Sequence, residues 1–168
     1  DPLWFGIGRV LLQNFSKEEL LFYPSNTCLQ LAFSKLKRPW QAARYISIHG
    51  RDSSELIKAL KSRKTDLAII PDYKKNTIEQ IKKNIIELQL ENYYDFWVCE
   101  ELGLKDEKVR KIDIKSVLPK DISEISIVVL LKKTTYTSQN DYPQFGLKDS
   151  CFRTFKDRPN LITKREIR

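Results

Sequence analysis

Between residues 66 and 102 the chain reads DLAIIPD, NTIEQIKKNIIELQL and YDFWVCEEL, and this run restricts the fold more than any other feature. DLAIIPD (66–72) is a short apolar run stopped by proline, which predicts a buried strand. In NTIEQIKKNIIELQL (76–90), Ile78, Ile81, Ile85 and Leu88 recur at steps of three and four, so one face of a helix is apolar. Asn76 and Glu79 fit a capping pair at its start. YDFWVCEEL (94–102) is rich in aromatic residues and predicts the next strand. A strand, a helix and a strand bury their apolar surfaces only by layering, which places the chain in the α/β class.

The alternation continues towards the N-terminus. FGIGRVLLQNF predicts a short helix after a glycine turn, and LLFYPS (20–25) a brief buried strand. TCLQLAFSKLK (27–37) carries Leu29, Ala32, Phe33 and Leu36 at helical spacing before Pro39. ARYISIHG (43–50) alternates Tyr45, Ser47 and His49 against Ile46 and Ile48, a strand pattern. In DSSELIKALKS, Asp52 and Glu55 form a helix-start pair and Leu56, Ile57 and Leu60 the buried stripe. KVRKIDI (108–114) and ISIVVLL (125–131) then predict strands with no helix between them, so the sheet becomes mixed. After Lys133 the sequence is polar, broken by prolines and without period, as in a linker. No internal repeat is visible.

The formal net charge of +8 is compatible with nucleic acid, an anionic membrane surface or a polyanionic small molecule. A lysine-rich compositional bias accounts for it equally well. No apolar run reaches the ~18 residues of a membrane span. Cys28, Cys99 and Cys151 are odd in number and far apart, matching neither a disulfide framework nor a zinc spacing, which predicts a reducing, cytoplasmic setting. A single histidine leads us to expect no metal site. The opening DPLWFGIGR, the absence of methionine and the ending LITKREIR together predict a segment of a longer protein.

In α/β sheets ligands gather at the carboxyl ends of strands. Four turns qualify: DPLWFGIG, YPSNTC, ISIHGRD and AIIPDYKKN. The GIG of the first lacks the third glycine of a dinucleotide fingerprint. His49 reads either as a strand-end histidine bonded to its neighbours or as a ligand group. With Arg51 beyond Gly50, both side chains can enter one cleft, where a guanidinium fork and a tunable donor suit a carboxylate or phosphate. Glu100 and Glu101 read as a solvated strand end. No catalytic triad, phosphate-binding loop or HExxH is present.

Taken in order, DPLWFGIG, YPSNTCLQLAFSKLKRPWQAARYISIHGRD and VCEELGLKDEKVRKIDI resemble the class III tetrapyrrole methylases. Within that family the LAF–PW–A–SxHGR string is similar to the branch that methylates a precorrin at meso carbon 5 in cobalamin biosynthesis. The resemblance spans about residues 1–131. It implies an S-adenosylmethionine-dependent methyltransferase with its cofactor in a cleft between two α/β domains. Carried over by position, it implies that Asp1, Pro2, Trp4, Thr27, Cys28 and Pro71 contact the cofactor. Arg51 is expected to take a substrate carboxylate, and His49 to orient the ring or manage a proton. It also implies an anionic tetrapyrrole as partner, a homodimer or larger assembly, and a tail leading to a second methyltransferase domain. Ser25, Cys28 and the PDYKKN turn depart from the family pattern.

The expected architecture is α/β: residues 1–38 as the remaining part of a Rossmann-like cofactor domain, 39–132 as a mixed-sheet domain, and 133–168 as a linker. A precorrin carries a rim of carboxylates, so a basic cleft suits it. Methyl transfer from a sulfonium is an in-line displacement that needs alignment more than a strong acid or base. Two other readings share the net charge. One is a methylase of the same superfamily acting on RNA or protein, and the other a basic, non-enzymatic binding module.

Overall fold

In the computed structural model, which describes residues 1–133, the 66–102 run forms strand, helix and strand as its patterning dictates. The strands are β1 (Arg44–Ser47), β2 (Leu67–Ile70), β3 (Tyr94–Glu100), β4 (Lys108–Ile112) and β5 (Ser126–Lys132). The helices are α1 (Gly8–Asn14), α2 (Cys28–Lys35), α3 (Ser54–Ser62) and α4 (Ile78–Glu87), with a 3₁₀ turn at Lys17–Glu19. The strands make one sheet in the order β1-β2-β5-β3-β4. Strands β1 and β2 run parallel, with α3 between them in sequence, and every other pair is antiparallel. The sheet is therefore mixed, as the helix-free run after residue 102 requires.

Strand periodicity divides the core between two faces. Ile46, Ile48, Leu67, Ile69, Phe96, Val98, Val128 and Leu130 project to one face. There they meet Leu56, Ala59 and Leu60 of α3 and Ile78, Ile81 and Ile85 of α4. Each fully buried isoleucine or leucine contributes about 1.5–3 kcal/mol. On the opposite face Ala68, Cys99, Ile127, Val129 and Leu131 pack with Leu29, Ala32 and Phe33 of α2, and Trp4 lies partly buried against them. Residues on both sides of position 38 thus share one core. The linker expected over 133–168 lies outside the described residues beyond Lys133.

Three local expectations are corrected. LLFYPS is not a strand: Leu21 and Tyr23 are each 76% exposed, and among the described residues no strand lies beside this run to complete a ladder. Helix α4 is capped by Thr77, whose side chain accepts from the Gln80 N–H, and not by Asn76. The start of α3 is not an Asp52–Glu55 box. Asp52 Oδ1 accepts from the Ser54 N–H (2.7 Å), one residue ahead of the Ser53 cap position, and Glu55 reaches across to Arg44. In both helices the chosen polar residue had a better partner elsewhere. By contrast, Thr27 caps α2 in a full box: its hydroxyl accepts from the Gln30 N–H (3.2 Å), and Gln30 Oε1 accepts from the Thr27 N–H (2.9 Å).

Candidate active site

The antiparallel pairing of β5 with β2 and β3 decides where the site lies. Ile69 faces Val128 and Glu100 faces Ser126, so the carboxyl ends of β1, β2 and β3 share a rim with the start of β5. Every turn singled out downstream of β1 opens on that rim.

Cys28, His49 and Pro71 line one cavity of about 250 Å³ there. Its walls include Cys99, Leu102, Ile125 and Ile127, and Glu124 and Ser126 stand at its edge. Cys28 arrives on the first turn of α2, placed by the Thr27 cap. His49 follows β1, on the side of the sheet that carries α2 by strand alternation. A second groove of about 380 Å³, lined by Tyr73, Thr77, Lys120 and Ser123, shares Pro71, Glu124 and Ser126 with the first. The two spaces therefore adjoin at the end of β2.

The DPLWFGIG segment folds as a tight turn. Asp1 Oδ1 accepts from the Leu3 N–H (2.8 Å) and the Pro2 carbonyl from the Gly8 N–H (2.8 Å). A Cβ on Gly6 or Gly8 would lie 2.7 or 2.6 Å from that carbonyl oxygen, so close approach of backbone to backbone is what requires both glycines. Trp4 stacks edge-on against Phe5 at 4.9 Å. The Phe5 ring carries the Arg51 guanidinium 5.3 Å from its centroid, a cation–π contact. The structure thus joins the first loop to the Arg51 turn through Phe5 and joins Cys28, His49 and Pro71 through the cavity. It does not bring Asp1, Pro2 or Trp4 into the lining of that cavity, the Thr27 hydroxyl is engaged in capping, and of the expected His49–Arg51 pair only His49 lines it.

Three features of the rim escaped sequence reasoning. Glu100 is no solvated strand end; it is 1% exposed. Arg110 grips it from β4 with Nε and Nη2 at 2.7 and 2.8 Å, and Glu100 Oε2 also accepts from the Ser123 N–H (2.9 Å). Arg110 Nη1 in turn reaches Asp121 (2.9 Å). These bonds tie residues 121–126, which carry Glu124 and Ser126, to the sheet. The period-two pattern that buries Tyr94, Phe96 and Val98 also points Glu100 to the same face, a signal that could have found it. Tyr73, with its ring 6.4 Å from that of His49, is the second. Asp72 and Asn76, which bond to the His49–Arg51 turn, are the third.

Burial pushes the Cys28 thiol above its ordinary range and raises Cys99 to about 12, so the cavity presents neutral thiols. The guanidinium of Arg110, followed by the ammonium of Lys108, lowers the Asp121 carboxyl to about 2. Among the described residues no group of three or more His, Cys, Asp or Glu side chains is placed to hold a metal ion, and no helix is long and apolar enough to cross a membrane.

A family model described as Tetrapyrrole (Corrin/Porphyrin) Methylases matches residues 1–118. The "Probable cobalt-precorrin-7 C(5)-methyltransferase" of Methanocaldococcus jannaschii is 25% identical over 135 residues, covering 77% of this chain and 60% of that protein. The chain thus spans less than two thirds of the length of that curated relative. The crystal structure of the methyltransferase CobJ aligns over 79% of this chain and 61% of its own, with a TM-score of 0.61 at 12% identity. Uroporphyrin-III C-methyl transferase from Thermus thermophilus, complexed with S-adenyl homocysteine, aligns over 78% and 62%, with a TM-score of 0.52 at 15% identity. At such identities these two structures establish a shared fold.

Proposed function

The chain belongs to the tetrapyrrole (corrin/porphyrin) methylase family, and from that premise we propose that it serves S-adenosylmethionine-dependent methylation of a precorrin ring in cobalamin biosynthesis. The acceptor is a meso carbon, as the name of the Methanocaldococcus jannaschii relative supports. The observation that carries the reading is the meeting of Cys28, His49 and Pro71 in one largely apolar cavity, with Arg51 two residues beyond His49 on the same turn.

The cavity fits part of such a cofactor. Its volume of about 250 Å³ falls just below the ~300–1,000 Å³ of sites for whole drug-sized ligands. Leu102, Ile125 and Ile127 suit the faces of an aromatic base, while Glu124 and Ser126 at the edge suit hydroxyl or amino groups. Cys28 and Pro71 would hold the part of the cofactor in this cavity, Asp1, Pro2 and Trp4 would meet the part outside it, and Thr27 would act chiefly by placing the α2 N-terminus. When bound, S-adenosylmethionine supplies an activated methyl on a sulfonium whose leaving group is a neutral thioether.

The chain's own work is then alignment and exclusion of water, worth several orders of magnitude in rate when reacting atoms are held near contact distance. Arg51 binds a ring carboxylate as a planar fork. Phe5 holds that guanidinium through its π face without neutralising it. His49, on the cavity wall, orients the ring or accepts the proton released after methylation. The thiols of Cys28 and Cys99 stay protonated and add apolar wall. Location in the cytoplasm, a homodimeric or larger assembly and a fused second methyltransferase domain belong to the same proposal.

Calorimetry of the intact protein with S-adenosylhomocysteine tests it, followed by methyl transfer to a precorrin. Binding, with activity lowered but measurable in Arg51→Ala and His49→Ala, is expected. RNA affinity with a steep salt dependence and no tetrapyrrole binding would transfer the reading to an RNA methylase, and absence of cofactor binding would leave a non-enzymatic module.

A further inference from the structure

The turn that presents His49 and Arg51 is closed from within by a single bond, the Arg51 N–H donating to the Ile48 carbonyl (3.3 Å). The Ile48 N–H donates to the Ile70 carbonyl (3.0 Å), the last bond tying β1 to β2. Beyond it the chain passes through Gly50 at φ +63°, and nothing lies within 4 Å of where a Cβ would sit. Glycine is therefore present for its backbone conformation and not for lack of room. A glycine samples many conformations at similar energy, so partners outside the turn add to its one internal bond in selecting a shape.

We infer that Asp72 and Asn76, on the neighbouring turn after β2, are positioning residues that hold His49 and Arg51 in place for the reaction. The two oxygens of Asp72 divide the task. Oδ1 accepts from the N–H groups of Lys74 (2.7 Å) and Lys75 (3.4 Å), shaping its own loop, while Oδ2 accepts from the Gly50 N–H (2.9 Å). Asn76, 8% exposed, donates its amide to the Arg51 carbonyl (2.6 Å) and the Ile48 carbonyl (3.3 Å), one on each side of the glycine. The loop is closed by the Asp72 N–H donating to the Asn76 carbonyl (2.9 Å). Since Thr77 caps α4, the Asn76 side chain is not needed there.

The clamp thus pairs the Gly50 N–H and the Arg51 carbonyl, past the end of the sheet ladder, and adds a second donor to the Ile48 carbonyl that the Arg51 N–H already reaches. It also keeps the Arg51 guanidinium over Phe5 and His49 beside Tyr73. A misplacement of about 1 Å at a reacting centre can cost 100-fold in rate, so the clamp acts on catalysis without touching substrate. This inference rests on the methyltransferase reading of the rim.

The test uses the intact protein with Asp72→Ala, Asn76→Ala, the conservative Asp72→Asn, and each combined with Arg51→Ala. Two readouts are taken: kcat/KM for precorrin methylation and hydrogen exchange at the Gly50 amide. We expect Asp72→Ala and Asn76→Ala to lower kcat/KM about 10- to 100-fold and Asp72→Ala to unprotect the Gly50 amide. Asp72→Asn keeps one acceptor oxygen where two are used, so it should fall between Asp72→Ala and the unsubstituted protein in both readouts. In the Arg51→Ala background the further loss should shrink to the part that acts through His49, because effects exerted through a shared partner are not additive. Equal losses in the two backgrounds, or an unchanged Gly50 exchange rate in Asp72→Ala, overturn the inference. An unsubstituted protein that neither binds S-adenosylhomocysteine nor methylates overturns the methyltransferase reading, while Gly50 exchange still decides whether the clamp exists.

Discussion

Replacing Arg110 by methionine would leave the Glu100 carboxylate in the interior with one remaining donor, the Ser123 N–H. Breaking a buried ion pair by removing one partner costs about 3–5 kcal/mol, because the other charge stays desolvated. The Glu100 side chain is 1% exposed but that of Arg110 is 25% exposed, so water can approach from the Arg110 side. The lower end, about 3 kcal/mol, applies. For a chain of this length that corresponds to a fall in melting temperature of roughly 6–12 °C. Glu100→Gln keeps the shape, removes the charge, and should cost about 1–2 kcal/mol as a weakened charge-assisted bond. The double variant should be more stable than the sum of the singles by over about 1 kcal/mol, since it no longer contains a stranded carboxylate. Denaturant unfolding of the three variants measures all of this. A cost below about 1 kcal/mol for Arg110→Met, or strict additivity in the double, would refute the idea that this pair is a buried anchor for residues 121–126.

At the outer end of the same network, Asp121 titrates at about 2 instead of its ordinary 3.8. A depressed carboxyl stabilises the fold above the unfolded value and loses that contribution as pH falls from 3.8 through about 2; carboxyl NMR titration of wild type and Arg110→Met should show the shift disappearing with the guanidinium. Cys99, raised by burial from 9.0 to about 12, keeps the folded state protonated, so its contribution is intact below pH 9.0 and declines as pH rises towards 12. Iodoacetamide at neutral pH should leave it unlabelled until the protein unfolds, and native-state labelling would contradict its burial. The two kinds of glycine at the site should separate on mutation. Gly8→Ala meets the Pro2 carbonyl and costs about 1–3 kcal/mol through overpacking, whereas Gly50→Ala meets nothing and costs about 1–2 kcal/mol through its left-handed backbone. Thermal melts and the indole NMR signal of Trp4 distinguish them, since only Gly8→Ala should disturb the Trp4–Phe5 stack.

Much of the fold was legible because periodicity is a local property. Ile78, Ile81 and Ile85 could bury one stripe only as a helix, and Tyr94, Phe96 and Val98 could share a face only in a strand. The family was legible in the turns, where DPLWFGIG and SIHGR keep residue types that the backbone itself demands. The failures share one cause. Asn76 and Asp52 each have several hydrogen-bonding uses, and the choice depended on which carbonyl or N–H another part of the chain brought near. LLFYPS has a strand's composition, but a strand exists only with a neighbour.

The sequence by itself therefore determined the element types, the split of apolar residues between two faces and the turns that carry chemistry, because steric and solvation preferences act within a few residues. Tertiary structure alone decided the order β1-β2-β5-β3-β4, the capture of Glu100 by Arg110 and the clamp of Asp72 and Asn76 on the His49–Arg51 turn. Those depend on which distant backbone groups are left unpaired at a shared rim. A buried polar group must find a partner wherever the fold supplies one.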